Sequence, residues 1–128
     1  MDFEALYAIL AAVARSNPND GLLTYSQLSQ RYFDATQDWH EPYGSCDAPL
    51  GQLNRILHAV SWPPLSAVVV LKTRDGGFGE PGGGFWESSP NIPARPADAL
   101  ARTAEWGRLL NQVYAVIWPA TIPTAPRD

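Results

Sequence analysis

At 128 residues the chain has room for one domain with a core of its own, and its single cysteine, Cys46, excludes an internal disulfide. A hydrophobic fraction of 45% with five tryptophans excludes a disordered chain, and no apolar run approaches the ~18–20 residues that a membrane span needs. A net charge of −4 weighs against a generic binder of duplex nucleic acid, because such affinity comes largely from neutralising phosphates. These features set the expectation of a cytoplasmic protein in a reducing compartment, with no charged-then-apolar leader and no membrane partner.

The first predicted element is a helix over 2–16, with Asp2 as cap and Phe3, Leu6, Leu10, Val13 and Ala14 at helical spacing. NPNDG at 17–21 stops it. A second short helix begins at Thr24, where Gln27 three residues on completes a capping-box pattern. Tyr25, Leu28 and Tyr32 share its buried face. Residues 34–47 read as a loop, long enough for a compact domain to be functional or mobile. Asp47 can cap a third helix over 48–61, buried through Leu50, Leu53, Ile56 or Leu57, and Val60. Pro63-Pro64 forbids its continuation.

SAVVVLK at 66–72 is β-branched and bounded by proline and glycine, which predicts a strand. GFWES at 84–88 is the expected partner strand, joined to it by a stretch with six glycines at 76–84. A proline-spaced linker over 89–96 leads to a last helix that starts near Pro96 and runs to Trp118. Trp106, Leu109, Leu110, Val113 and Ile117 form its apolar stripe. The order is that of an α+β winged helix: three short helices, a β-hairpin with a glycine-rich turn as wing, and a long C-terminal helix. The domain spans 1–118, and 119–128 reads as a proline-rich flexible tail.

The blocks LTYSQLSQRY, APLGQLNRIL, PPLSAVVVLK…GEPGGGFW and EWGRLLNQVYAVIW together resemble a family of small, mostly uncharacterised bacterial and phage proteins. The match runs over roughly residues 22–118, and its strand-plus-turn block is the more specific part. Many members lie in or near mobile elements, so the resemblance implies a role in a bacterial or phage conflict system and no settled chemistry. A fainter similarity runs to the winged-helix domain of alkylguanine-DNA alkyltransferases and their catalytically dead relatives, through the Thr-Tyr-x-x-Leu start, a glycine-containing helix and a Pro-x-x strand. Where those enzymes have Pro-Cys-His-Arg, this chain has Leu65-Ser66-Ala67-Val68 after its prolines. The nucleophile is missing, so no alkyl transfer carries over.

The candidate sites each have two readings. The glycine stretch is a structural turn or a ligand-contacting loop, but it has neither GK[ST] nor a GxGxxG opening a helix. Lys72, the chain's only lysine, is an activated amine or a solubilising residue on an edge. Glu80 and Glu87 are paired carboxylates or solvated acids. Asp38, His40, Glu41, Cys46 and His58 include every residue type zinc accepts, yet lack tight C-x-x-C or H-x₃-H pairing. A Cys46/His58 nucleophile pair competes with a small buried cysteine.

Trp39, His40 and Tyr43, with Phe78 and Glu80, are the candidate protein-contact residues; the loop aromatics can equally close over the core. A nucleic-acid reading places Gln52, Asn54, Arg55 and His58 on the third helix against base edges, with Arg31, Lys72 and Arg74 on phosphates. The acids Asp34, Asp38, Glu41 and Asp47 lie beside them and oppose it. The expected function is therefore a non-enzymatic acidic module that binds a protein partner and needs no cofactor or metal. A winged-helix nucleic-acid binder is the first alternative. An enzyme using the glycine turn is the second.

Overall fold

The computed structural model describes residues 1–41 and 47–127, and the expectations placed on Tyr43 and Cys46 lie outside them. Helix α1 (Phe3–Arg15) starts where Asp2 Oδ1 accepts the Ala5 amide at 3.0 Å. Its stripe of Leu6, Tyr7, Leu10, Ala11, Val13 and Ala14 is buried, making it the central pillar of the core. Strand β1 (Leu23–Thr24) leads directly into α2 (Tyr25–Thr36). The capping box forms as its sequence requires: Thr24 Oγ1 accepts the Gln27 amide at 3.2 Å, and Gln27 Oε1 accepts the Thr24 amide at 2.9 Å.

Helix α3 (Asp47–Ala59) buries Leu50, Leu53 and Leu57, while Ile56 faces outward. It closes in a Schellman geometry, with the Trp62 amide on the Leu57 carbonyl and the Ser61 amide on the His58 carbonyl, both at 2.9 Å. Ser61 occupies the left-handed region there, at φ +64.

The strand expected at 66–72 is not formed as such. Leu65–Val68 is a 3₁₀ helix, and only Val69–Val70 is strand, β2. It pairs in parallel with β1, Leu23 opposite Val69 and Thr24 opposite Val70. Periodicity explains the difference. Residues 62–70 are buried without alternation, which a strand covered on one face does not do. Their backbone groups also find partners outside any ladder. The Ser66 amide meets Asn54 Oδ1 at 3.2 Å, and the Ala67 carbonyl accepts from Trp106 Nε1 at 2.9 Å.

The expected partner strand at 84–88 is also corrected. Gly83–Glu87 is a second 3₁₀ helix whose consecutive Phe85 and Trp86 are both buried, edge to face at 5.3 Å. Adjacent side chains on a strand point to opposite faces, so a strand here would have exposed one of them. The glycine stretch supplies the return arm instead. Lys72 and Phe78 form an antiparallel bridge, and the Leu71 amide donates to the Glu80 carbonyl at 2.8 Å. Gly76 takes the positive φ of +85 that the reversal needs. At Gly79 a Cβ would stand 2.9 Å from the Leu71 carbonyl oxygen, so the two arms could not approach with any larger residue there.

Helix α4 (Ala99–Tyr114) begins at Asp98, whose carboxylate accepts the Ala101 amide at 2.9 Å, slightly later than Pro96. It also ends earlier than the apolar pattern indicates. Ile117, expected in the stripe, is 93% exposed, and Val116 and Trp118 turn inward in its place. Trp118 Nε1 donates to the Val113 carbonyl at 2.9 Å, folding the chain back over the helix end.

The proline-rich end, expected to be flexible, is tied to α1 and to Trp62. Tyr7 donates to the Pro119 carbonyl at 2.6 Å, Arg15 to the Trp118 and Pro119 carbonyls, and Trp62 Nε1 to the Ala125 carbonyl at 2.8 Å. The architecture is α+β: four α-helices around a two-stranded parallel sheet among the described residues. No helix among them is long and apolar enough to cross a membrane.

Asn54 is fully buried, and its carboxamide joins three elements: Nδ2 donates to Ser66 Oγ at 2.7 Å and to Ser88 Oγ at 2.9 Å, and Oδ1 accepts the Ser66 amide. Asn54→Ala strands these groups. Urea denaturation is expected to show a loss of about 2–4 kcal/mol, whereas a loss under ~1 kcal/mol would mean that the amide does not hold these elements together. Tyr7 gives a second test. Burial pushes its phenol up to about 12, with the nearby Arg15 cation pulling the other way. An unfolded tyrosine titrates near ~10. The folded chain therefore holds this proton more tightly, and the associated stability is complete below that range and lost as pH rises toward 12. Burial also raises Tyr114, so absorbance titration is expected to show a late-ionising phenol signal that shrinks by one tyrosine, at its most alkaline end, in Tyr7→Phe.

Candidate functional site

The segment just beyond α2 folds back on the helix it leaves. Gln37 ends α2 in the left-handed conformation, its amide on the Phe33 carbonyl at 2.7 Å. Thr36 Oγ1 donates to the Tyr32 carbonyl at 2.8 Å and accepts the Asp38 amide at 3.2 Å, which sets the reversal. Two aromatic pairs then seat the returning chain. The Trp39 ring meets Phe33 edge-on at 6.2 Å, and the His40 ring meets Tyr32 edge-on at 5.3 Å. Tyr32 is itself buried and accepts the Asp2 amide at 2.7 Å, which anchors the segment to the start of α1.

Trp39 is held from two sides yet remains 46% exposed. Its indole N–H donates to Glu41 Oε1 at 3.2 Å, and His40 Nε2 lies 3.1 Å from Asp38 Oδ2. Asp34 accepts from Gln30 Nε2 at 2.9 Å. Gln30, His40 and Trp39 thus each contact one of the three exposed carboxylates, Asp34, Asp38 and Glu41 respectively. The result is an ordered tryptophan on an acidic knob. A fixed aromatic loses little conformational freedom on contact, and fixed carboxylates attract cations before contact is made.

The other expected contact residues do not join it. Phe78 is 50% exposed at the glycine turn, beside a depression of about 200 Å³ lined by residues 17–22 and Tyr114. That places it near the start of α2, whereas the Trp39 ring packs at Phe33 toward its other end, roughly 12 Å further along the helix. Glu80 is drawn to α4, where Arg102 Nε meets Oε1 at 3.1 Å with both side chains largely shielded. Its role is to fasten the glycine turn to the helix. Glu87 is exposed on the second 3₁₀ helix.

Of the proposed nucleic-acid readers, Gln52, Arg55, Lys72 and Arg74 are exposed, and Asn54 is not. Asn54 spends its whole amide inside the protein and has nothing to offer a base edge. Among the described residues no group of three or more His, Cys, Asp or Glu is arranged to hold a metal ion. Ser66, the hydroxyl nearest the position of the missing cysteine, is buried and bonded to Asn54. Sequence reasoning passed over Tyr32 and Phe33 as parts of this site. The signal was the recurrence of paired aromatics at 32–33 and 39–40, spaced for the second pair to fold onto the first.

No family model, curated protein or solved structure matches the chain.

Because Trp39 is 46% exposed and packs edge-on against Phe33 on α2, Trp39→Ala is expected to cost under ~1 kcal/mol in denaturant unfolding. Iodide or acrylamide is expected to quench one class of the wild-type fluorescence, and that class should vanish in the variant. A loss above ~3 kcal/mol would instead assign the ring to the core.

Proposed function

We propose that this chain is a non-enzymatic interaction module that binds a protein partner through the acidic knob at 33–41. One observation carries the reading: among the described residues Trp39 is the only tryptophan that is an exposed large hydrophobic, and it is held by Glu41 next to Asp38 in a segment that also exposes Asp34 at the end of α2. Tryptophan is enriched at the energetic centre of interfaces, and carboxylates around it select a basic surface. The matching partner carries a hydrophobic notch rimmed by lysine or arginine, such as a groove that otherwise receives nucleic acid. The family resemblance read from the sequence supports an inhibitor or immunity-type role in a bacterial or phage conflict system.

A second reading is favoured by the element order. A helix, a short strand, two helices and a returning strand are followed by the glycine-rich arm, with Gln52 and Arg55 exposed on α3 and Lys72 and Arg74 exposed on that arm. We read this as a winged-helix-like arrangement, whose α3 and arm would face a duplex. Its cations are few, and the overall charge opposes it. The third reading, an enzyme built on the glycine turn, has Glu80 committed to Arg102 and no nucleophile–base–orienter set among the described residues.

The experiment compares wild type, Trp39→Ala and the Asp34→Asn, Asp38→Asn double variant for capture of a stoichiometric partner from host lysate, beside retention on duplex DNA. The expected result is one protein partner, released by salt and weakened about 10- to 30-fold by Trp39→Ala. A partner indifferent to both variants, or none at all, overturns the first reading. Salt-sensitive DNA retention lost in Arg55→Ala or Arg74→Ala establishes the second instead.

A further inference from the structure

On the side of the molecule where α3 ends, two depressions of about 370 and 530 Å³ adjoin, sharing Trp62, Ala115 and Arg127. Their combined size is that of a small-molecule site. Trp62 is fixed at their centre. Trp118 packs against it at 5.3 Å, its indole N–H is held by the Ala125 carbonyl, and the Arg127 guanidinium stands over its ring at 5.8 Å. The returning chain end therefore supplies one wall and the one permanent cation.

The remaining polar lining consists of His58, Ser61, Asn91 and Gln112. Asn91 Oδ1 accepts the Ser89 hydroxyl, which leaves its NH₂ as the available group. The side chains of His58, Ser61 and Gln112 make no hydrogen bond among the described residues. Ser61 sits at φ +64, a left-handed position that glycine would occupy without strain. No acidic side chain lines either depression among the described residues, although the chain has 13 acidic residues against 9 basic ones. An indole wall, a guanidinium held by cation–π contact and several uncommitted donors fit one kind of guest.

We infer that the Trp62 depression binds a small planar anion, an aromatic or heteroaromatic ring carrying a carboxylate or phosphate. The anionic group meets Arg127 and the amide and hydroxyl donors, and the ring lies along the apolar wall. This site is separate from the acidic knob and does not depend on what the knob binds.

The test follows the Trp62 indole N–H in ¹H–¹⁵N spectra of the full chain, assigned with Trp62→Phe. The probes are adenosine 5′-monophosphate and 2-naphthoate, with adenosine, 2-naphthamide and inorganic phosphate as controls. Saturable movement of that peak by at least one anionic probe is expected, about 10-fold weaker for its neutral counterpart and about 10-fold weaker in Arg127→Gln, a substitution at an exposed position. The inference is overturned by no movement with either anionic probe, by equal binding of the neutral compounds, or by indifference to Arg127→Gln. Equal binding of phosphate alone overturns the role given to the ring.

Discussion

The fold turns on a single buried carboxamide. Asn54 projects from α3 into a region from which water is excluded and finds partners on both 3₁₀ helices, Ser66 on the first and Ser88 just past the second. Ser88 passes the network on by donating to the Phe85 carbonyl at 2.6 Å. A buried amide without partners would cost several kcal/mol, so the position of each element is set by the others. This explains how a chain with two two-residue strands among its described residues keeps a defined core. Side-chain bonds do the work that a longer ladder would otherwise do.

The aromatic residues divide the same way between structure and surface. Trp62, Trp106 and Trp118 each donate their indole N–H to a backbone carbonyl, of Ala125, Ala67 and Val113 respectively. Each such bond satisfies a polar tip while the ring fills the interior, and each joins segments distant in sequence or closes a helix end. Trp39 breaks this pattern. Its N–H goes to an exposed carboxylate and its ring to the outside of α2. An exposed tryptophan that is nonetheless ordered is the feature from which the proposed protein contact follows.

Charge is distributed by the same logic. Arg15 is occupied by the Trp118 and Pro119 carbonyls, Arg102 by Glu80 and the Pro96 and Ala97 carbonyls, and Arg108 by Glu105. Three of nine basic residues thus serve the fold. Those remaining exposed are dispersed over α2, α3, the glycine arm, the proline-spaced linker at Arg95 and the chain end. The exposed cations are thus limited in placement as well as in number. Arg127, held over Trp62, is the exception because its position is fixed by a ring.

The sequence by itself determined the helices, because their signals are local. The Thr24–Gln27 box, the Asp2 cap, the apolar stripes and the double proline at 63–64 each act within a turn or two of backbone. It also showed an acidic, aromatic segment at 34–47. Only the tertiary structure decided what SAVVV and GFWES become. Their β-branched and aromatic residues suit a strand, but the unbroken burial of 62–70, the adjacent buried Phe85 and Trp86, and partners at Asn54 and Trp106 put Leu65–Val68 and Gly83–Glu87 into 3₁₀ turns and leave only Val69–Val70 as strand. The fates of Asn54, Glu80 and Ile117 were hidden for the same reason. Whether a polar side chain reads a ligand, ties two elements together or meets water depends on residues 12 to 34 positions away, and no local pattern carries that distance.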